Sequence, residues 1–246
     1  MGRKGQRLQH TISIIQQRWG PGAIRTLDSS PHPALPTGFQ SVDRMVGGIP
    51  RGRITELIGS GTSGQTTLTA KVLSEAQRLG HQVVYVDVEH AVDLDFLARC
   101  GVGFDSLTIL RPRSFQHGIQ MAGNLIRNDG IGVLVFDRVP LMPAQPDDFQ
   151  LLDVALRQWL PFLNRSLCAV VFLTDVGATE AYPQDLPLPY FSSLRLMFQW
   201  TGWLYRKSQV KGYVSTVTVL KNKFGPSGQS TTIRVRFTNG IHSEDA

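Results

Sequence analysis

The stretch Gly59-Ser60-Gly61-Thr62-Ser63-Gly64-Gln65-Thr66-Thr67, GSGTSGQTT, decides how the rest of the chain is read. Its glycines and hydroxyls are those of a phosphate-binding loop. In such a loop successive backbone N–H groups at a helix N-terminus converge on phosphate oxygens, and glycine permits the turn and the close approach. A lysine normally precedes the paired hydroxyl residues and neutralises charge on the β and γ phosphates. Here that position holds Gln65, which is neutral, shorter and able only to hydrogen-bond. Thr66 stands where a hydroxyl ligates Mg2+. The missing charge is expected to weaken triphosphate binding and, more severely, any transition state in which charge moves between phosphates.

Working outward, the apolar run Ile54 to Ile58 enters the loop as a strand. Leu68, Val72, Leu73, Ala76 and Leu79 recur on one face of a helix that leaves it, and Gly80 ends that helix. The runs QVVYVD (82–87), SLTIL (106–110), GVLVFD (132–137) and CAVVFL (168–173) alternate with helical patterns near 93–100, near 114–127 and from Asp148 to Leu163. This order predicts an α/β fold whose mostly parallel central sheet is flanked by helices. All these strands are apolar enough to be central. Beyond residue 190 the pattern changes to alternation, in Leu194, Leu196, Phe198, Trp200 and again in Ile233, Val235, Phe237. Antiparallel strands added at the C-terminal end of the sheet are expected there. Trp200, Trp203 and Tyr205 are read as sheet packing in preference to base stacking.

Before the main domain, Leu8, Ile12, Ile15 and Trp19 form one face of an amphipathic helix stopped by Gly20-Pro21-Gly22. The strand-like AIRTL follows, and then a polar stretch, Asp28 to Pro36, that carries three prolines. The expected organisation is an N-terminal helix-strand arm over 1–27, a linker over 28–36, a core over 37–242 and a tail over 243–246. The arm either folds onto its own domain or docks its stripe on a neighbouring subunit.

The formal charge of +6 is unevenly placed. Residues 1–25 hold five basic side chains and 194–237 hold eight, both without an acid, while the middle is net negative. A basic rim on an acidic body suggests polyanion contact through the two ends, against the plainer reading of solubilising charge. No run approaches a membrane span and no signal-peptide core follows the N-terminus, so a cytoplasmic protein is expected. Cys100 and Cys168 lie far apart and the six histidines form no ligand pattern, which indicates neither a disulfide framework nor a zinc site.

Two acids complete the candidate site. Asp137 ends an apolar strand, where an acidic Mg2+ partner belongs; the alternative is a strand-end acid facing solvent. Glu89 follows VVYVD and is positioned to orient an attacking water; the alternative is a helix N-terminal acid. His90 beside it is read as a positioning residue.

The order and wording of LPTGFQSVDRMVGGIPRGRITELIG, LTAKVLSEAQRLG, YVDVEHAVDLDFL, VTVLKNK and IIQQRWGPGAIRTL closely resemble the bacterial RecA recombinases. The resemblance covers nearly the whole chain and stops near residue 240, without the small C-terminal domain of RecA. It implies a RecA-like phosphate-loop NTPase fold with ATP and Mg2+ as cofactors. It implies that Gly59, Gly61, Ser63, Gly64, Gln65, Thr66 and Thr67 form the phosphate and magnesium contacts, with Asp137 as the second acidic motif. It further implies that Glu89 is the catalytic glutamate and that Asp93 and Phe96 hold the adenine. Lys221 and Lys223 match the pair that reaches across a filament interface to a neighbour's ATP. The N-terminal arm matches the element that links subunits. Single-stranded DNA, and self-association or a RecA-like protein partner, are the implied partners.

The departures are equally specific. Asp175 stands at the family's sensor glutamine. The two loops that hold single-stranded DNA in RecA read RVPLMPAQPDD (138–148) and TDVGATEAYPQDLPLPYF (174–191) and look shorter. They contain one basic residue, Arg138, against five acids. Strand binding needs a positive groove with stacking aromatics; Tyr182, Tyr190 and Phe191 supply rings without charge. Arg138 is read either as reaching DNA or a partner or as pairing with a nearby acid. The leading expectation is an accessory of DNA repair and recombination with weakened nucleotide binding and little or no hydrolysis. Its nearest functional analogy is the ImuA proteins of mutagenic lesion bypass, degenerate RecA relatives of similar length. The alternatives are an active DNA-dependent ATPase forming filaments on single-stranded DNA, in which a neighbour's Lys221 and Lys223 supply the charge, and a structural subunit capping or joining RecA filaments.

Overall fold

The computed structural model describes residues 3–20, 32–139, 145, 147–177, 182–237 and 240–244. These fall into two compact units, 1–31 and 32–246. In the first, helix α1 (Arg3–Trp19) carries the stripe predicted for it. Ile12 and Ile15 are half-buried, and Leu8 and Trp19 are exposed. Gly20 closes the helix at φ +90°, its N–H donating to the Gln16 carbonyl at 2.8 Å. The strand expected at AIRTL lies outside the described residues.

The second unit opens with β1 (Ala34–Leu35), α2 (Gln40–Val46) and β2 (Ile49–Pro50), in which β1 and β2 pair antiparallel. Residues 34–35 were expected in the linker and are strand instead, because Leu35 is an apolar side chain that β2 and α2 bury.

Next come β3 (Ile54–Gly59), α3 (Gln65–Arg78), β4 (Val83–Asp87), α4 (Leu94–Arg99), β5 (Leu107–Leu110) and α5 (Phe115–Asn128). They are followed by β6 (Val133–Asp137), α6 (Asp148–Ser166), β7 (Ala169–Asp175) and α7 (Leu188–Phe191). The chain closes with β8 (Leu194–Arg206), β9 (Gln209–Asn222), β10 (Ser230–Phe237) and β11 (Ile241–Glu244). One nine-stranded sheet holds β3 to β11 in the order β11-β10-β9-β8-β3-β7-β6-β4-β5. From β8 to β5 neighbours are parallel, and β9, β10 and β11 add antiparallel at the other side.

Parallel strands joined by helices are buried on both faces, and alternate residues serve the two sides. Val133 and Val135 join Leu57, Leu68, Leu73 and Tyr85 in the core under α3. Leu134 and Phe136 join Ile119, Leu156 and Trp159 in the core under α5 and α6, where Trp159 stacks on Phe172. Two expectations are corrected. SLTIL is the sheet edge and not a central strand: β5 pairs only with β4 and its residues are half-buried or exposed. Leu79 is 56% exposed, because it caps α3 at its C-terminus and has turned off the inward stripe.

The architecture matters for function because parallel strands bring their carboxyl ends to one edge, the usual ligand position in open α/β sheets. Gly59 lies beside Asp175 and Asp87 beside Asp137, so the phosphate loop and three acids share that edge. Within β3, Glu56 is fully buried and accepts from Thr174 Oγ1 (2.8 Å), the Tyr182 hydroxyl (2.7 Å) and Arg195 Nε (2.5 Å).

Candidate nucleotide site

The loop from β3 to α3 turns through Gly61 at φ +51° and Gly64 at φ +102°, conformations that L side chains rarely adopt. Gly59 has no room for a side chain: a Cβ there would meet Ser63 Oγ at 2.2 Å. Gly64 is the N-cap of α3, and Thr67 Oγ1 shares a 2.6 Å hydrogen bond with the Tyr213 hydroxyl of β9. The N-terminus of this fourteen-residue helix, where a helix presents backbone N–H groups to an anion, lies at the cleft through Gly64, Thr66 and Thr67.

A cavity of about 300 Å³ opens above the loop. Gly61, Gly64, Thr66, Thr67, Glu89, Asp93, Phe96 and Asp137, all singled out from the sequence, line it together. Gly59, Ser63 and Gln65 do not; Ser63 and Gln65 are buried behind the wall, 1% and 3% exposed. Ser63 Oγ and Gln65 Oε1 have no hydrogen-bond partner among the described residues. The cavity matches a nucleotide in size and chemistry. Glycine turns and a helix N-terminus suit phosphate, and a hydroxyl beside a carboxylate suits a hard cation. The half-buried Phe96 gives an apolar wall for a base.

The acids differ in surroundings. Asp137 accepts from the Tyr85 hydroxyl at 2.5 Å. Burial holds the Asp137 carboxyl above its ordinary range, opposed by that hydrogen bond and by Arg138. Asp87, 1% exposed, accepts from Ala91 N at 2.9 Å and pairs with Arg111 at 3.5 Å, which fixes the segment carrying Glu89 and Asp93. Asp93 Oδ1 caps α4 by accepting from Phe96 N at 2.8 Å. His90 sits at φ +57° with Nε2 3.0 Å from the Pro112 carbonyl, a positioning contact.

Arg138 is the one cation among the described residues lining the cavity. Its Nη1 lies 3.3 Å from Asp175 and 3.6 Å from Glu89, and its Nε lies 3.9 Å from Asp137. Of the two readings of Arg138, pairing with acids is the one seen.

Lys221 and Lys223 stand away from the cavity. Lys221 is beside Arg195 at the end of β9 that flanks the start of β3, and its Nζ donates to the carbonyls of Pro189 (2.7 Å) and Tyr190 (3.1 Å). Partial burial, then Lys223 and Arg195, pull its ammonium below its usual pKa. Leu8, Ile12, Ile15 and Trp19 belong to the other unit.

The candidate stacking residues sort differently from expectation. Tyr182 is committed to Glu56 and Phe191 is buried, which leaves Tyr190, 70% exposed, with the Arg157 guanidinium over its ring. Residues 140–144, 146 and 178–181 of the two loops lie outside the described residues. Trp200, Trp203 and Tyr205, expected to pack in the sheet, are exposed. β3 ends level with Phe198, and the β8–β9 ribbon runs on beyond it. A register shift between Trp200 and Gly202 puts Trp200 and Trp203 on one side, rings 5.6 Å apart, continuing through Tyr213 to Phe237 at the cavity wall.

Sequence reasoning missed Tyr85, Asp87 and Tyr213. Alternation within VVYVD puts residues 85 and 87 on one face at a strand end, a signal that was available. Nothing local marks Tyr213, 146 positions from Thr67.

A mostly parallel sheet with a glycine loop entering a helix, acids at adjacent strand ends and a cavity above them defines a phosphate-loop fold of the RecA-like type. The family described as RecA N-terminal domain matches residues 6–242, and the chain belongs to the RecA family. It is similar to Protein RecA of Aquifex pyrophilus, 31% identical over 98% of this chain and 76% of that relative. It is also similar to Protein RecA of Rickettsia massiliae, 29% identical over 98% and 78%, and of Nitratidesulfovibrio vulgaris, 29% identical over 95% and 73%. Among the described residues no helix is long and apolar enough to cross a membrane.

Proposed function

We propose that this chain is an accessory of DNA repair and recombination that binds Mg2+-ATP weakly, hydrolyses it little or not at all, and acts through DNA or a protein partner. In this reading the backbone of Gly61 and Gly64 cradles phosphate, Thr66 and Asp137 hold Mg2+, the latter through water, and Asp93 and Phe96 hold the base. Glu89 is the water-orienting group. The observation that carries the reading is the charge at the cavity: Gln65, behind its wall, is neutral and buried, and Arg138, the one cation among the described lining residues, is shared by Glu89, Asp137 and Asp175. A hydrolytic transition state needs fixed positive charge on the phosphoryl group and a free carboxylate beside the water. Both are compromised by the same contacts. Single-stranded DNA is the proposed nucleic-acid partner, in keeping with the acid-free basic segment 194–237. The exposed Leu8 and Trp19 support a role for the 1–27 arm in self-association or in joining a RecA-like partner. Lys221 and Lys223 are proposed as its contacts across such an interface.

The experiment is ATP hydrolysis with Mg2+ and single-stranded DNA, beside equilibrium ATP binding. Binding without turnover is expected, with Gln65→Lys tightening it. One observation favours the working ATPase: Thr66, Glu89 and Asp137 line a single cavity. That reading requires turnover which Glu89→Gln abolishes.

A further inference from the structure

We propose that Arg138 supplies to the terminal phosphate of a bound nucleoside triphosphate the positive charge that Gln65 lacks, with Asp175 holding the guanidinium when no triphosphate is present. The proposal rests on the nucleotide-binding reading above.

Position comes first. Arg138 directly follows Asp137 at the end of β6, and its guanidinium reaches Asp175 at the end of β7. Asp175 is the residue paired with Gly59, where the phosphate loop begins. The guanidinium thus lies over the strand ends beside the loop, and it lines the same cavity as Gly61 and Thr66.

Charge balance comes second. Asp87, Glu89, Asp93 and Asp137 all line this cavity, and Arg138 is the one cation among its described lining residues. A triphosphate brought against four carboxylates needs that cation, even with Mg2+ bound.

Exchangeability comes third. Arg138 is 47% exposed, and its contacts of 3.3–3.9 Å are long beside the roughly 2.7–2.9 Å of a close charge-assisted bond. A half-solvated guanidinium held loosely by three carboxylates is free to move to phosphate, and Asp137 keeps its hydrogen bond from Tyr85 when it does. Its planar fork of donors suits phosphate oxygens. Two departures from the family pattern, Gln65 and Asp175, then form one arrangement: the cation has moved from the loop to the end of β6, and Asp175 is its resting partner.

The test uses the full-length chain with Mg2+ and ribose-labelled fluorescent ATP and ADP, reading dissociation constants. Arg138→Gln is expected to weaken triphosphate binding by about tenfold or more and diphosphate binding by no more than about twofold. Arg138→Lys should retain part of the discrimination. Gln65→Lys added to Arg138→Gln should restore it, because the loop then carries the charge again. Asp175→Asn should tighten triphosphate binding by freeing the guanidinium. Thermal melting of each variant checks that the fold is kept. Arg138→Gln that binds triphosphate as tightly as the wild type, or more tightly, overturns the proposal; tighter binding assigns Arg138 to neutralising the acids alone. Wild-type protein that binds neither nucleotide overturns the nucleotide reading and this assignment together. Wild type that binds both while ignoring Arg138→Gln leaves the nucleotide reading standing.

Discussion

The hydroxyls of Thr67 and Tyr213 lie 2.6 Å apart and tie the first turn of the phosphate-loop helix to β9. Both residues are 3% exposed, so losing one hydroxyl leaves the other without its partner. Tyr213→Phe should cost about 1–3 kcal/mol. Thermal denaturation should show it as a melting temperature lower by several degrees. A melting curve superimposed on the wild type would show that the two hydroxyls are not coupled.

Glu56 and Arg195 form a buried ion pair, 0% and 14% exposed at their side chains. Arg195→Leu leaves a buried carboxylate with only Thr174 and Tyr182 as donors, and should destabilise by about 3–5 kcal/mol in urea titration. Adding Glu56→Met to that variant should recover most of the loss, because the uncompensated charge is gone. A double variant as unstable as the single one would mean that packing, not charge, sets the cost.

Burial pushes the Cys168 thiol up to about 12 and the Cys100 thiol up to about 11, the latter opposed by Lys71 and Arg99. The thiolate is the reactive form, so neither cysteine should react with a thiol-specific disulfide reagent in native protein at mildly alkaline pH. Both should react once urea unfolds the chain. Rapid native modification of either would contradict its burial.

Asp137 gives the pH dependence. Its carboxyl is held above the unfolded value of 3.8, chiefly by burial. Between the unfolded value and the raised native one, the native state keeps a proton that the unfolded state has lost. Stability from this group is therefore greatest below 3.8 and declines as pH rises through the native value. Wild type minus Asp137→Asn stability, measured by urea titration across a pH series, should fall over that window. A difference independent of pH would show that Asp137 titrates as it does in the unfolded chain.

Much of this was legible in the sequence for identifiable reasons. The phosphate loop was readable because a strand, a glycine turn and a helix are local, and the parallel strands because double-sided burial leaves uninterrupted apolar runs. Thr66, Glu89, Asp93, Phe96 and Asp137 meet in one cavity because parallel topology gathers strand ends at one edge. Arg138 was ambiguous since its partners, Glu89 and Asp175, lie 49 and 37 positions away and only the β4-β6-β7 order joins them. Trp200 and Trp203 were misread because nothing local shows that β3 ends level with Phe198, so that the β8–β9 ribbon beyond it is exposed. Tyr182 looked like a loop aromatic until the fully buried Glu56 claimed its hydroxyl.

The central claim is that this chain holds ATP without turning it over, and one measurement reads both halves. The protein is incubated with Mg2+, single-stranded DNA and ATP labelled on its γ phosphate, captured on a filter, and the retained and released label are separated. The account predicts that label is retained as intact ATP with negligible free phosphate over many minutes. Steady release of phosphate, or no retained nucleotide even at concentrations far above those that saturate an active RecA-type site, would contradict it.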